Sequence, residues 1–318
     1  MTNCHDLFQE FYGKIELASH KKEYLMRARD SIRDKIRKYF GDTLKANVPK
    51  FLIQGSYAMA TIINPLDGEF DIDDGVYMQN LGSDKSKWPK PETVHTWIKK
   101  ALEGHTKEKI QDKRTCVRVI YSGNYHVDLP IYGIYNNRAY LAEKGKLGWH
   151  ISEPRKIVEW FKGHVKAKGE QLRRLVRYTK AWADYQSKSG ELPNGFTLSV
   201  LVVEGYVKVE RDDTSFAGTI SKISERLSKS SVILNPVDKN EDLGKRISEA
   251  KYKNFLDRLA SLLESASAAL KEESKVEACK KWKNEFGARF PKCEELKVED
   301  TPRKTSSPAI LRDDARSA

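Results

Sequence analysis

Residues 69–78 read EFDIDDGVYM, and this stretch decides the fold predicted for the first half of the chain. Its apolar and acidic residues alternate, as in a β-strand with one buried face. Asp71 and Asp73 are two positions apart, so their carboxylates point to the same side of the strand. Asp74 points to the other side, and we interpret it as structural. A lone Asp-x-Asp pair most often lies on the solvated surface. A functional role therefore has to be argued from the other residues that accompany it.

A third carboxylate lies in YHVDLPIY, residues 125–132. This stretch and residues 114–121 are predicted strands, joined as a hairpin by Ser122-Gly123-Asn124. Asp128 is flanked by apolar residues and faces the opposite side from them. An unpaired carboxylate in such a strand is costly to bury, which favours a functional role. We expect His126 to lie on the apolar side and to be structural.

Three carboxylates on neighbouring strands repel one another unless a cation lies between them. Mg²⁺ is a hard cation that binds carboxylate and phosphate oxygens and keeps several waters. In two-metal chemistry one ion acidifies an attacking hydroxyl and the other stabilises a leaving pyrophosphate. The pattern therefore predicts two Mg²⁺ ions at Asp71, Asp73 and Asp128, with Mn²⁺ as a substitute.

A Gly-Ser pair precedes the acidic strand, in QGSYAMATIINP at residues 54–65. Glycine lets the backbone approach a phosphate closely, and the serine hydroxyl and N–H donate to phosphate oxygens. The pair is a weak signal alone, but its position upstream of the carboxylates predicts that Gly55 and Ser56 bind a nucleotide.

The composition is compatible with such a site. The chain has 318 residues with 57 Lys and Arg against 45 Asp and Glu, a formal net charge of +12. This excess suits an anionic partner, which could be nucleic acid, a nucleotide or an acidic membrane surface, or it is only a solvated basic surface. The four cysteines show no metal-site spacing, which favours a reduced compartment. No signal peptide or membrane-spanning run is visible, so we expect a cytoplasmic protein.

The periodicity changes along the chain. Residues 22–46 are predicted to form a long amphipathic helix, and the region from about residue 153 onward is mostly helical. We expect an α+β fold with a catalytic core at 1–165, a helical lobe at 166–295 and a flexible C-terminal tail at 296–318.

Basic residues lie at helical spacing in the second half. Arg173, Arg177 and Lys180 fall on one face of the predicted helix 172–185. They are interpreted either as phosphate ligands or as a solvated basic face. Arg118, in the first half, is interpreted either as an acceptor-nucleotide contact or as a surface arginine.

Together these motifs resemble the nucleotidyltransferase superfamily with a polymerase-β-type palm, and more closely the cGAS/DncV-like nucleotidyltransferases, or CD-NTases. Members of that family are the bacterial cyclic-oligonucleotide synthases of anti-phage CBASS systems. The matching segments are QGSYAMATIINP at 54–65, EFDIDDGVYM at 69–78, YHVDLPIY at 125–132, WHISEPRKIVEWF at 149–161, LRRLVRYTKAW at 172–182, LNPVDKNEDL at 234–243 and KKWKNEFGARFP at 280–291.

The resemblance implies a small mixed sheet packed against a helical C-terminal lobe, with the active site in the cleft between them. It implies that Asp71, Asp73 and Asp128 are the metal ligands, with Asp128 also the base toward the acceptor hydroxyl. Gly55 and Ser56 would hold the donor triphosphate together with Lys180 and Ser199. Thr197 is the rival to Ser199, although hydroxyls at helix starts are more often caps.

The resemblance further implies an enzyme that condenses nucleoside triphosphates into a cyclic di- or trinucleotide and releases pyrophosphate. Its product would activate a downstream effector. An operon-encoded, ubiquitin-transfer-like partner acting on the tail is also considered, beside an unmodified disordered end. Two alternatives remain: a template-independent RNA-tailing nucleotidyltransferase, and a catalytically inactive nucleotide- or nucleic-acid-binding module.

Overall fold

The computed structural model describes residues 2–294, except for the side chain of Ser189. Within this range a mixed sheet is packed on helices at one end of the chain, and a larger group of helices follows. The strands are β1 (Lys50–Gln54), β2 (Phe70–Tyr77), β3 (Gln111–Asp112), β4 (Val117–Tyr121), β5 (Tyr125–Leu129), β6 (Ile131–Tyr135), β7 (Arg138–Glu143) and β8 (Gly148–Ile151). The helices are α1 (His5–Ile15), α2 (Ser19–Lys38), α3 (Gly55–Ala58), α4 (Pro91–Ala101), α5 (Pro154–Lys168), α6 (Glu170–Gln186), α7 (Gly195–Gly205), α8 (Asp212–Lys229), α9 (Glu249–Lys271) and α10 (Lys275–Phe286).

Strand β2, which contains the acidic stretch, is central to the sheet. It pairs in parallel with β5 and then, beyond Pro130, with β6, and it pairs antiparallel with β1. The hairpin predicted at 122–124 is confirmed, because β4 and β5 pair antiparallel across it. The acidic strand therefore has neighbours that fix the direction of its side chains.

Helices α2 and α4 cover one face of the sheet. The predicted apolar face of residues 22–46 is confirmed in this core, although α2 ends at Lys38 and a π-helical turn follows at 39–43. The residues packed there with the sheet include Leu25, Ala28, Ile32, Ile36, Phe40, Ile72, Val76, Val94, Ile98, Val127 and Leu129.

A second core joins the remaining long helices. The first helix, α1, was not predicted, and it belongs to this helical core and not to the sheet. Its Phe8 and Phe11 are fully buried, and Phe8 packs edge-on against Tyr178 of α6 and Trp282 of α10. The amino end of the chain therefore packs against the second half.

The division at 1–165 and 166–295 stays a prediction. Helix α5 runs without interruption across residue 165, and the chain breaks at Gly169, where φ is +94°. A turn with positive φ ends a helix at low cost when the residue is glycine.

One expectation is corrected by a disulfide. The sequence favoured a reduced chain, but Cys279 of α10 is bonded to Cys293, with the two Cα atoms 5.5 Å apart. A turn at residues 287–289 and the fully buried Phe290 bring the chain back onto α10, which places the two thiols together. Cys4 and Cys116 are free and buried.

Among the described residues, no helix has the length and apolarity that a bilayer crossing requires. The tail predicted at 296–318, with its conjugation hypothesis, lies outside the described residues.

Candidate active site

The register of β2 and β5 brings the three predicted carboxylates together. Asp73 is the direct partner of Asp128 across this parallel pair, and Asp71 is the partner of His126. Because side chains at i and i+2 share a face, all four point to the same side of the sheet. The site is therefore set by strand pairing and does not depend on a flexible loop.

The electrostatics of this cluster are unfavourable without a cation. Burial and the charges of Asp71 and Asp128 raise the pKa of Asp73 to about 7. Burial also raises the pKa of Asp71, and Asp128 adds to that rise. Close carboxylates cannot all ionise at low cost, which is why a positive charge is needed between them.

One protein cation already reaches the cluster. Arg118 of β4 lies opposite Asp128 in the β4–β5 register and binds it through two hydrogen bonds of 2.7 Å, from Nε and Nη2. The sequence left Arg118 open between a nucleotide contact and a surface residue, and the structure pairs it with Asp128. Asp71 and Asp73 accept no such bidentate pair among the described residues.

Gly55 shapes the floor of the site. Its φ is +63°, a region that favours glycine, and a Cβ built at this position would lie 2.1 Å from Asp73 Oδ2. Any side chain here would displace the carboxylate. Ser56 follows it and lines the same cleft.

The helical lobe supplies the opposite wall. Lys180 of α6 is 9% exposed, and its Nζ donates to Thr61 Oγ1 over 3.0 Å. Burial lowers the pKa of Lys180 to about 8, although Asp71 and Asp73 oppose that shift. Gly195, at the amino end of α7, packs on this lysine, since a Cβ there would lie 3.1 Å from Lys180 Cε.

A cleft of about 910 Å³ separates the two walls. This is the size of a small-molecule site, and it is wide enough for a nucleotide. Its lining includes Gly55, Ser56, Thr61, Asp71, Asp73, Lys180, Asn194, Gly195 and Arg246. A basic wall therefore faces an acidic wall across one cleft.

The structure does not place Ser199 on this cleft. Ser199 is fully buried in α7, and its hydroxyl donates to Gly195 O over 2.6 Å. Serines inside helices commonly bond the carbonyl four residues earlier in this way. Its rival Thr197 is also buried, and Asn194, not Thr197, caps the helix by accepting from the Thr197 N–H. Ser199 does not line the cleft in this structure, and its role as a nucleotide ligand stays a prediction.

Arg173 and Arg177 also differ from the predicted phosphate stripe. Arg173 pairs with Glu170 and donates to Met59 O. Arg177 is 3% exposed and donates to Tyr12 Oη over 2.5 Å. Both arginines bind groups in the first 60 residues of the chain, and of the three basic residues on this helix Lys180 is the one that lines the cleft.

His126 is a residue whose role the sequence analysis missed. It was expected on the apolar side, but it lies on the acidic side, with Nε2 4.0 Å from Asp71 Oδ2 and 3.9 Å from Asp128 Oδ2. The i, i+2 relation to Asp128 was the available signal. Burial lowers the pKa of His126, against the pull of the neighbouring carboxylates.

The donor set fits a divalent cation. One oxygen each of Asp71 and Asp128 and a ring nitrogen of His126 all lie within 4.8 Å of one another. Asp73 adds a carboxylate whose ionised form lacks a cationic partner of its own among the described residues. Carboxylates of this kind are the ligands that Mg²⁺ and Mn²⁺ prefer.

Comparison with known proteins agrees with this geometry. Residues 49–132 match the nucleotidyltransferase domain of the family described as cyclic GMP-AMP synthase DncV-like. Residues 169–299 match the C-terminal domain of cyclic GMP-AMP synthase. The chain belongs to the DncV-like nucleotidyltransferase family. The family predicted from the sequence motifs is thereby confirmed.

Curated relatives of this DncV-like chain are cyclic GMP-AMP synthases. One from Escherichia albertii is 28% identical over 254 residues, covering 74% of this chain and 56% of that protein. Another from Escherichia coli (strain TW11681) is 27% identical over 230 residues, covering 56% of this chain and 52% of that protein. The chain thus spans little more than half the length of these relatives.

A solved structure shares the fold. The crystal structure of Vibrio cholerae DncV cyclic AMP-GMP synthase, in complex with the linear intermediate 5′ pppA(3′,5′)pG, superposes with a TM-score of 0.76 at 22% identity. The match covers 90% of this chain and 98% of that chain. The predicted α+β fold, a small mixed sheet against a helical lobe, is confirmed.

Proposed function

We propose that this DncV-like chain is a metal-dependent nucleotidyltransferase that condenses nucleoside triphosphates into a cyclic di- or trinucleotide and releases pyrophosphate. The observation that carries the proposal is the convergence of Asp71, Asp73 and Asp128 in the β2–β5 register, with Asp71 and Asp73 lining a cleft that Lys180 also lines. The relatives named above are cyclic GMP-AMP synthases, which favours a cyclic dinucleotide as the product.

The acidic wall would position the reacting hydroxyl. Asp71, Asp73 and Asp128 would hold two Mg²⁺ ions, which when bound neutralise the carboxylates and acidify an attacking hydroxyl. Asp128 also accepts the proton of that hydroxyl as a general base. Arg118 donates one hydrogen bond to each oxygen of Asp128, so each oxygen keeps a second lone pair for the hydroxyl proton or an ion.

The other groups would bind the donor triphosphate. The backbone at Gly55 and the hydroxyl of Ser56 lie beside the acidic wall, where the α-phosphate would be held. Lys180 and the amino end of α7 lie across the cleft, where positive charge and free N–H groups stabilise the leaving pyrophosphate. Donor and acceptor are thereby held between walls of opposite charge.

A cyclic dinucleotide forms in two rounds, and a trinucleotide needs one further round of the same step. A hydroxyl of one nucleotide attacks the α-phosphorus of another, a new P–O bond forms, the bond to the β-phosphate breaks, and pyrophosphate leaves. The linear product then turns over in the same cleft, and its free hydroxyl attacks its own remaining triphosphate. The second round closes the ring and releases a second pyrophosphate.

The test is product analysis with four labelled nucleoside triphosphates, Mg²⁺ and the full chain. A small product that resists phosphatase supports cyclisation. A ladder on added RNA would replace the proposal with the RNA-tailing alternative. No product with Mg²⁺ or Mn²⁺, at the level of Asp71→Ala, would leave the inactive binding module.

The matched control is an aspartate outside the cleft. Asp257 is exposed on α9, so Asp257→Asn removes the same charge without touching the site. We expect Asp257→Asn to retain the product and Asp71→Ala to lose it.

The proposal extends to anti-phage signalling of the CBASS kind, in which the cyclic product activates a downstream effector. The ubiquitin-transfer-like partner would act on the tail at 296–318. Cells carrying the chain with its operon neighbours should resist phage, and cells carrying Asp71→Ala should not. Mass spectrometry showing only free Ala318 would count against conjugation of the tail.

A further inference from the structure

His126 combines deep burial with two ring nitrogens that have no hydrogen-bond partner among the described residues. The residue is 6% exposed, so water does not readily satisfy these atoms. A buried polar group without a partner costs free energy, and such a group in a native fold requires an explanation. Nε2 has no hydrogen-bond partner among the described residues, and a ligand bound by the site would satisfy it.

The position of Nε2 indicates which kind of ligand the site binds. It lies 4.0 Å from Asp71 Oδ2 and 3.9 Å from Asp128 Oδ2. These separations are too long for hydrogen bonds. Two ligands that each lie about 2.1 Å from one ion can be up to about 4.2 Å apart, so Nε2 and each oxygen can share a cation.

The other ring nitrogen has a carboxylate beside it. Nδ1 lies 3.0 Å from Glu69 Oε1, an oxygen that also lies 3.9 Å from Arg118 Nη1, and the Glu69 side chain is 55% exposed. When Nδ1–H donates to such a carboxylate, the Nε2 lone pair is left for a metal and the ring is held in place. This carboxylate–histidine arrangement is typical of metal sites built from imidazole.

We propose that Nε2 of His126 is a nitrogen ligand of the divalent cation held between Asp71 and Asp128, and that it biases this position toward Mn²⁺ over Mg²⁺. The inference rests on the cation site of the proposed function. Mg²⁺ strongly prefers oxygen ligands, whereas first-row transition metals accept imidazole. Glu69 is the positioning residue that orients the ring.

The test is pulsed electron paramagnetic resonance of the full chain loaded with substoichiometric Mn²⁺ and no nucleotide. We expect nitrogen modulation from a directly bound imidazole in the wild type and its loss in His126→Gln. The carboxylates remain in that variant, so Mn²⁺ still binds and the comparison holds. His164→Gln is the matched control, because His164 lies on α5 against Trp160 and outside the cleft.

A competition gives a second readout. The Mg²⁺ concentration that displaces half of the bound Mn²⁺ should fall by at least about tenfold in His126→Gln and stay unchanged in His164→Gln. Absence of Mn²⁺ binding, absence of nitrogen modulation in the wild type, or the same modulation in His126→Gln would overturn the proposal. Cyclic product without nitrogen modulation would contradict only this inference. Nitrogen modulation without any nucleotide product would contradict only the proposed function.

Discussion

The two faces of β2 treat neighbouring aspartates in opposite ways. On the face toward α2, Asp74 is fully buried and Arg33 binds it through two hydrogen bonds of 2.7 and 2.5 Å. On the cleft face, one arginine among the described residues makes a bidentate pair, and it binds Asp128, not Asp71 or Asp73.

The difference is one of charge balance. On the buried face, one carboxylate is paired with one guanidinium, so no ion from solution is needed to balance its charge. The cleft face carries more carboxylates than protein cations among the described residues. Burial, together with the charges of Asp71 and Asp128, raises the pKa of Asp73 to about 7. A strand can therefore hold a structural ion pair and a carboxylate that lacks a bidentate partner on adjacent residues, because its side chains alternate.

The largest effect expected from this comparison is on activity. Asp73→Asn should lower product formation by at least about a thousandfold, since it removes a metal ligand without changing the shape of the cleft. The same variant should unfold at no lower urea concentration than the wild type in metal-free buffer, because a like-charge repulsion is removed. Retained activity, or a clear loss of stability, would contradict the role of Asp73 as a metal ligand.

On the buried face of β2, loss of a charged partner should lower the stability of the fold. Arg33→Met leaves the Asp74 carboxylate buried without its partner, and we expect the free energy of unfolding to fall by about 3 kcal/mol. Urea denaturation at neutral pH measures this loss. The double variant Arg33→Met with Asp74→Asn should recover part of it, and a loss below about 1 kcal/mol in the single variant would show that the pair is not structural.

The basic wall of the cleft should control triphosphate affinity. Lys180→Met is expected to weaken binding of a non-hydrolysable ATP analogue with Mg²⁺ by about 2 kcal/mol, or about thirtyfold, because a charge-assisted contact is lost. Calorimetric titration checks this. Arg173→Met is the comparison on the same helix, and an equal loss there would return the phosphate role to the predicted stripe.

The smallest effect is a pH dependence. The folded pKa of Lys180, about 8, lies below its ordinary value, so the lysine loses its charge as the pH rises through about 8. Affinity for the same ATP analogue should therefore drop by about tenfold between pH 7 and pH 9. Lys180→Arg keeps its charge throughout this range and should bind with a flat profile. Parallel profiles for both proteins would exclude Lys180 as the titrating group.

Sequence periodicity was sufficient for the direction of the aspartate side chains, but not for the parallel pairing of β2 with β5 that brings Asp128 beside Asp73. The alternation at 69–78 places Asp71 and Asp73 on one face, and the hairpin at 122–124 fixes the neighbouring strand. The same hairpin register also sets Arg118 opposite Asp128, and the i, i+2 rule sets His126 beside it, so both were within reach of the sequence.

The basic wall could not be found in the same way. The contact of Lys180 with Thr61 joins residues 119 positions apart, and it depends on how α6 packs over the sheet. The burial of Ser199 likewise depends on how α7 packs, which periodicity along the chain does not give. The pairing of Cys279 with Cys293 likewise depends on the packing of the turn between them, which the spacing of the two cysteines does not predict.

The stoichiometry of divalent cations tests the central claim most directly. Mn²⁺ should be titrated into the full chain with a non-hydrolysable ATP analogue, and bound ion should be counted by electron paramagnetic resonance. The account predicts two Mn²⁺ per chain in the wild type and in Asp257→Asn, and a loss of bound Mn²⁺ in Asp73→Asn. Equal Mn²⁺ binding by the wild type and Asp73→Asn would contradict it.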